Sequence, residues 1–225
     1  DKGEVFFQQQ SNVSAKILQF NETLCYGLGK GFEIGINYLG LTLNTPFRNP
    51  YFMANYDYTL PPIFPFLMLN AQKAIHLNDN MEIATGILAG GNMSDFKNFN
   101  EGLYAFTNFA SKFEHTKTWF VGGIYYANKN YLGVGDRLFG KSPIGIQLGI
   151  EQFIYREKIS LVIDYISGVH DFGESTFGFS YEFTSSFNMS VGYQLPNPNS
   201  NANQSLIVEF SLNRLTKRKS FSNAK

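Results

Sequence analysis

The sequence predicts an all-β protein: a transmembrane, antiparallel, up-and-down β-barrel of about 12 strands, with 10 as the fallback. Three observations predict it. Apolar and polar residues alternate with period 2 along nearly the whole chain. Charged residues make up only 16% of the 225, while aromatic residues reach another 16%, with 23 Phe and 13 Tyr. The connections between alternating segments are short and long by turns.

The composition points to a surface that partly faces something other than water. Soluble domains carry about a quarter charged residues. The mean hydropathy is nevertheless slightly negative, at −0.16. No run approaches the roughly 18 apolar residues of a membrane-crossing helix. The longest apolar run, from Pro61 to Leu69, contains three prolines. An apolar exterior without long apolar runs is what a transmembrane barrel requires, since its strands alternate lipid-facing and lumen-facing residues. The net charge is zero and the pI is near 7.0, so no global field favours nucleic acid. The basic cluster Arg214, Lys217, Arg218 and Lys219 reads as a solvated tail. The single cysteine, Cys25, excludes an internal disulfide. Asp1 opens the chain without a charged and apolar leader, so an export signal removed in processing is expected.

The elements follow in order. The first strand falls at Glu4 to Gln10, with Val5 and Phe7 on one face and Phe6 on the other. In the second, Leu18, Phe20, Leu24 and Tyr26 oppose Gln19, Asn21, Thr23 and Cys25, with Glu22 an exception on the apolar face. In the third, Phe32, Ile34, Ile36 and Tyr38 oppose Glu33, Gly35 and Asn37. Further strands are expected at about Phe64 to Leu77, Met81 to Gly91, Gly102 to Phe113 and Lys117 to Ala127; the last two have no assignable faces. The clearest alternation lies in Ile144 to Ile154, Ile159 to Ile166, Thr176 to Thr184, Asn188 to Leu195 and Ser205 to Asn213. There, faces such as Phe177, Phe179, Tyr181 and Phe183 oppose Gly178, Ser180 and Glu182. Gly, Ser, Thr, Asn and Gln make a poor apolar core. A soluble sandwich would bury the Ile, Phe and Tyr faces and carry more Lys and Glu outside.

The connections sort these strands into a topology. Short ones fall at Gly29 to Gly31, Asn78 to Asn80, Glu114 to Thr116, Arg156 to Lys158 and Thr184 to Ser186. Long ones fall at Asn44 to Ile63, Asn92 to Glu101, Asn128 to Pro143, Gly168 to Ser175 and Pro196 to Gln204. Outer-membrane barrels have short periplasmic turns and longer external loops. Both termini are therefore expected in the periplasm. Residues 1–213 form one barrel domain, and 214–225 a basic periplasmic tail.

The segment Leu24-Cys-Tyr-Gly-Leu-Gly-Lys-Gly-Phe-Glu-Ile-Gly-Ile-Asn37 resembles a hairpin of Gram-negative outer-membrane channel-like proteins. It looks like the family named for a phenol-degradation pathway, a transporter group. Ser205 to Leu212 is similar to a C-terminal assembly signal, although 13 residues follow Leu212. The resemblance implies passive passage of small, in part hydrophobic, molecules, and it brings no catalytic residues.

Parity places one set of acids on the polar faces: Glu33, Glu82, Glu151, Asp164, Glu182 and Glu209. Such a set in a lumen can select cations, as acidic rings do in channels. Equally, Lys30, Lys112, Lys117, Arg156 and Lys158 near the short turns could pair with them and plug that end. The loop from Thr45 to Pro62 gathers Phe47, Tyr51, Phe52, Tyr56 and Tyr58. These rings suit an apolar or sugar ligand, a partner protein, or the aromatic girdle at the membrane interface. Catalysis is not expected, although His170 lies near Asp164, Ser167, Asp171 and Ser175 in sequence. No paired Cys/His spacing suggests a metal and no glycine-rich loop a phosphate, so no cofactor is expected. The leading expectation is a small channel or uptake pore. A non-conducting accessory barrel in a larger envelope assembly is the alternative, and a lipid-modifying barrel enzyme comes third. The expected partners are outer-membrane lipid and lipopolysaccharide, and other envelope proteins through the long loops or the tail.

Overall fold

The computed structural model describes residues 2–15, 17–44, 51–52, 65–92, 101–132, 142–200 and 203–213. Its strands are β1 (Val5–Val13), β2 (Ile17–Gly29), β3 (Phe32–Asn44), β4 (Tyr51–Phe52), β5 (Phe66–Asn78), β6 (Met81–Asn92), β7 (Glu101–Phe113), β8 (Thr118–Ala127), β9 (Ile144–Tyr155), β10 (Ile159–Ile166), β11 (Glu174–Thr184), β12 (Phe187–Pro196) and β13 (Ser205–Asn213). One helix of a single turn, α1 (Lys129–Leu132), follows β8. β4 is a two-residue pairing on the end of β3. The other twelve strands form the wall, each antiparallel to both neighbours. β1 closes the ring by pairing with β13, from Phe6 opposite Asn213 to Val13 opposite Leu206. Closure removes both sheet edges, which a wall in lipid requires because no water is there to bond a free edge.

The outward face is an apolar belt. Leu69 is 66% exposed, Ile144 60% and Ile124 59%, with Phe179, Phe32, Ile36 and Leu212 in the same class. Ile144, Phe179, Phe32, Ile36 and Leu212 lie on faces that alternation marks as apolar, and a core-forming sandwich would have buried them. β7 and β8 resisted assignment for a physical reason: both faces carry large apolar side chains. Tyr104, Phe106, Trp119 and Tyr125 point inward, while Leu103, Phe109, Phe120 and Ile124 point outward.

At one end of the barrel the connections are tight. Lys30, Lys117, Arg156 and Glu157 take positive φ there, as two- to four-residue hairpin turns demand. Gly31 is obligatory: a Cβ on it would meet the Ala74 carbonyl oxygen at 2.1 Å. The long connections all lie at the opposite end, together with the short link after β1. The two strand termini, Val5 and Asn213, lie at the turn end.

Candidate functional site

An eight-stranded barrel is just filled by its own side chains, and twelve strands enclose more space. Large residues fill one side of it. Towards the loop end Phe66, Met68, Tyr125, Ala127, Tyr131 and Leu132 form a buried cluster, with Leu39, Leu88, Tyr104, Phe106, Ile166 and Phe172 packed against it. Asn128 caps α1: its Oδ1 accepts from Tyr131 N at 3.0 Å and from Leu103 N at 3.1 Å. That bends the chain inward and drops Tyr131 into the barrel mouth. There its ring stacks on Phe172 at 5.0 Å and Tyr104 at 5.2 Å.

The loop after β10 folds over this cluster. The Tyr125 hydroxyl donates to Ser167 O at 2.5 Å and lies 2.7 Å from His170 Nε2. His170 Nδ1 accepts from Phe172 N at 3.2 Å. Both ring nitrogens of His170 are thus engaged in holding the loop. Ser167 Oγ accepts from Ile146 N at 2.8 Å. Asn197, just beyond β12, donates to the carbonyls of Ile166 (2.8 Å) and Gly168 (3.1 Å), and Ser200 Oγ donates to His170 O at 2.6 Å. Three connections are knitted into one cap.

The opposite side of the lumen is built differently. On β9 to β13 the inward positions include Gly149, Thr176, Gly178, Ser180, Ser190 and Gly192, which leave room. A cavity of about 610 Å³ lies against β7 to β10, where the two sides meet, lined among others by Asn108, Trp119, Val121, Gln147, Glu151 and Asp164. That volume is within the range of small-molecule sites. An amide relay runs along its edge: the Gln147 amide donates to Asn108 Oδ1 at 2.5 Å, and the Tyr104 hydroxyl donates to Gln147 Oε1 at 2.5 Å. Gly123 makes room for it, because a Cβ there would stand 2.0 Å from Asn108 Oδ1.

The strand register puts Glu33, Glu82, Glu151, Asp164, Glu182 and Glu209 on the inward face. It gathers four of them on β9, β10, β11 and β13. Glu151 accepts from Ser160 Oγ at 2.8 Å. Asp164 stands opposite Gly149 and Thr176. Glu182 lines a second cavity, of about 210 Å³, at the turn end. Glu33 and Glu82 sit across the ring, bonded to Gln72 at 3.0 Å and to His76 at 2.7 Å. Glu174 joins the four at the loop end, opposite Pro196, with the Gln194 amide donating to it. In the sequence Glu174 falls within the long connection expected at Gly168 to Ser175. Its parity with Thr176 and Gly178 was the available signal.

At the turn end Lys112 pairs with Glu114 at 3.6 Å and Lys117 with Glu157 at 3.3 Å. The Lys112 ammonium also lies 5.9 Å from the centre of the Trp119 ring. Of the loop aromatics, Phe47, Tyr56 and Tyr58 lie outside the described residues, as does the tail 214–225. Tyr51 and Phe52 enter through their backbone alone, as β4. No cluster of metal-binding side chains occurs among the described residues.

Comparison with known proteins places this geometry. No protein-family model matches the chain, and no curated protein matches it in sequence. Solved structures do match. An outer membrane channel from Pseudomonas putida F1 aligns with a TM-score of 0.53 at 13% identity, over 95% of this chain and 96% of that one. The NanC porin aligns with a TM-score of 0.54 at 10% identity, over 92% and 97%. The chain has the outer-membrane β-barrel fold. An outer membrane phospholipase A from Escherichia coli aligns more loosely, with a TM-score of 0.49 at 12% identity over 96% and 93%. At these identities the likeness is one of fold.

Proposed function

We propose that this chain is an outer-membrane channel for small solutes, leaning towards cations, with the turn end in the periplasm. One observation carries the reading: the lumen is divided lengthwise, and its small-residue side bears the carboxylates. A solute is offered a path along β9 to β13, past Glu174, Asp164, Glu209, Glu151 and Glu182. Fixed carboxylates along a narrow path raise the local concentration of cations and exclude anions. The porin-like fold supports the same reading.

The test is single-channel conductance in a planar bilayer, first in symmetric and then in asymmetric KCl. Steady conductance with a cation-selective reversal potential is expected. In the variant Asp164→Asn with Glu209→Gln the reversal potential should move towards zero, and by more than in Glu82→Gln across the ring. A second reading, a non-conducting accessory barrel, is favoured by the cap that three connections build over the mouth. Silence from protein shown to be inserted would decide for it.

A further inference from the structure

The cavity between β7 and β10 exists because one inward position carries no side chain. Gly149 on β9 faces the lumen, with Val121 opposite it on β8 and Asp164 opposite it on β10. Within 4 Å, a Cβ built there would meet only the Asp164 carboxylate, at 2.9 Å, and Val121, at 3.8 Å. Gly149 is thus the floor of the pocket and its neighbours are the rim. One step towards the turns, Trp119 and Val162 flank Glu151 in register. One step towards the loops, Ile166 stands opposite Gln147. The polar groups of the rim differ in what they have left to offer. Gln147 and Asn108 are committed to each other at 2.5 Å. Glu151 is steadied by Ser160 at 2.8 Å. Asp164 is exposed to the lumen and has no hydrogen bond or ion pair among the described residues.

We infer that this pocket binds a small organic monocation, an amine with a compact apolar body. The rim divides the work. Glu151 and Asp164 form a diagonal pair across the β9–β10 ladder, roughly 7 Å apart at the backbone, so one ammonium can address both. Bonds between an ammonium and a carboxylate are the strong kind. Trp119, Val121, Val162 and Ile166 cover the body of the molecule, and the indole face itself attracts a cation. A bare metal ion would leave that apolar lining unused, and an anion would meet two like charges. The Lys112 ammonium, 5.9 Å from the centre of the Trp119 ring, is paired with Glu114 at 3.6 Å. A cavity of about 610 Å³ has room for a single ring and its side chain. The inference rests on the channel reading for its route, because the solute has to enter the lumen. It adds the class of solute that the carboxylate wall selects.

Trp119 is the single tryptophan of the chain, so its fluorescence reports on this pocket alone. The test is titration of the folded full chain in detergent with 2-phenylethylamine at neutral pH, excited where tyrosine does not absorb. A saturable change is expected. Phenylacetate, which keeps the body and reverses the charge, and ammonium, which lacks the body, should give none. Asp164→Asn should weaken binding by about tenfold or more, and Gly149→Leu, which fills the floor, should abolish it. Glu82→Gln across the ring should leave it unchanged. Heat-modifiable gel mobility shows that each barrel is folded, and if Gly149→Leu is not, Asp164→Asn decides. No saturable change in the wild type, an equal response to phenylacetate, or undiminished affinity in Asp164→Asn would overturn the inference. Conductance of the same protein separates this site from the channel reading. A barrel that binds the amine but passes no current keeps the site and fails as a channel. One that conducts KCl without binding the amine keeps the channel and loses the site.

Discussion

At the scale of the residue, Tyr125 shows how much one inward side chain can hold. Its hydroxyl serves the Ser167 carbonyl and the His170 ring together, and Tyr125 is 2% exposed. Tyr125→Phe removes the hydroxyl's bonds to both partners, which costs about 1–3 kcal/mol where they are buried. The expected outcome is a folded barrel whose cap has come loose. It is checked by hydrogen exchange: amides of residues 167–173 should lose protection while those of β6 and β7 keep it. The bonds of His170 to Tyr125 and Phe172 could not be read from the sequence, because they join residues that only the folded loop brings together. The lumen acids were easier. Each follows from parity alone, since one residue of register decides the face. Glu174 escaped because the break at Gly168 hid where the alternation resumes.

At the scale of the element, alternation was most legible where the two faces differ most. In β11, four aromatic residues oppose Gly178, Ser180 and Glu182, and the register follows that pattern directly. In β7 and β8 the pattern fails because the lumen itself is aromatic there. No local signal tells Tyr104, which packs inward, from Phe109, which faces out. The single turn α1 was equally hidden. Its cap, Asn128, depends on contacts with Leu103 and Glu101 that only the closed wall provides. The same contrast of faces yields a prediction for β5 and β10. Leu69→Arg puts a cation on the lipid face in mid-strand and should cost about 2–4 kcal/mol. Val162→Arg points inward beside Glu151 and Asp164 and should leave stability nearly unchanged while lowering cation preference. Urea unfolding from lipid vesicles, with reversal potentials for the second variant, checks both.

At the scale of the whole molecule, the ring, its strand count and the position of its ends follow from two periodicities, one within strands and one between connections. What fills the ring does not follow, because side chains from distant strands meet there without leaving a local pattern. The division of the lumen has a mechanical consequence. The wall from β5 to β8 is backed by interlocked rings and resists bending. The wall from β9 to β13 has small residues such as Gly149, Thr176, Gly178, Ser180 and Gly192 at many of its inward positions, so it is the compliant half of the tube. Slow ring distortion should concentrate there, and amides at mid-height in β10 to β12 should exchange faster than those in β6 to β8, with equal rates counting against it. A solute wider than the resting path would then pass by flexing one wall outward, so the size limit depends on how tightly the surrounding bilayer grips that side.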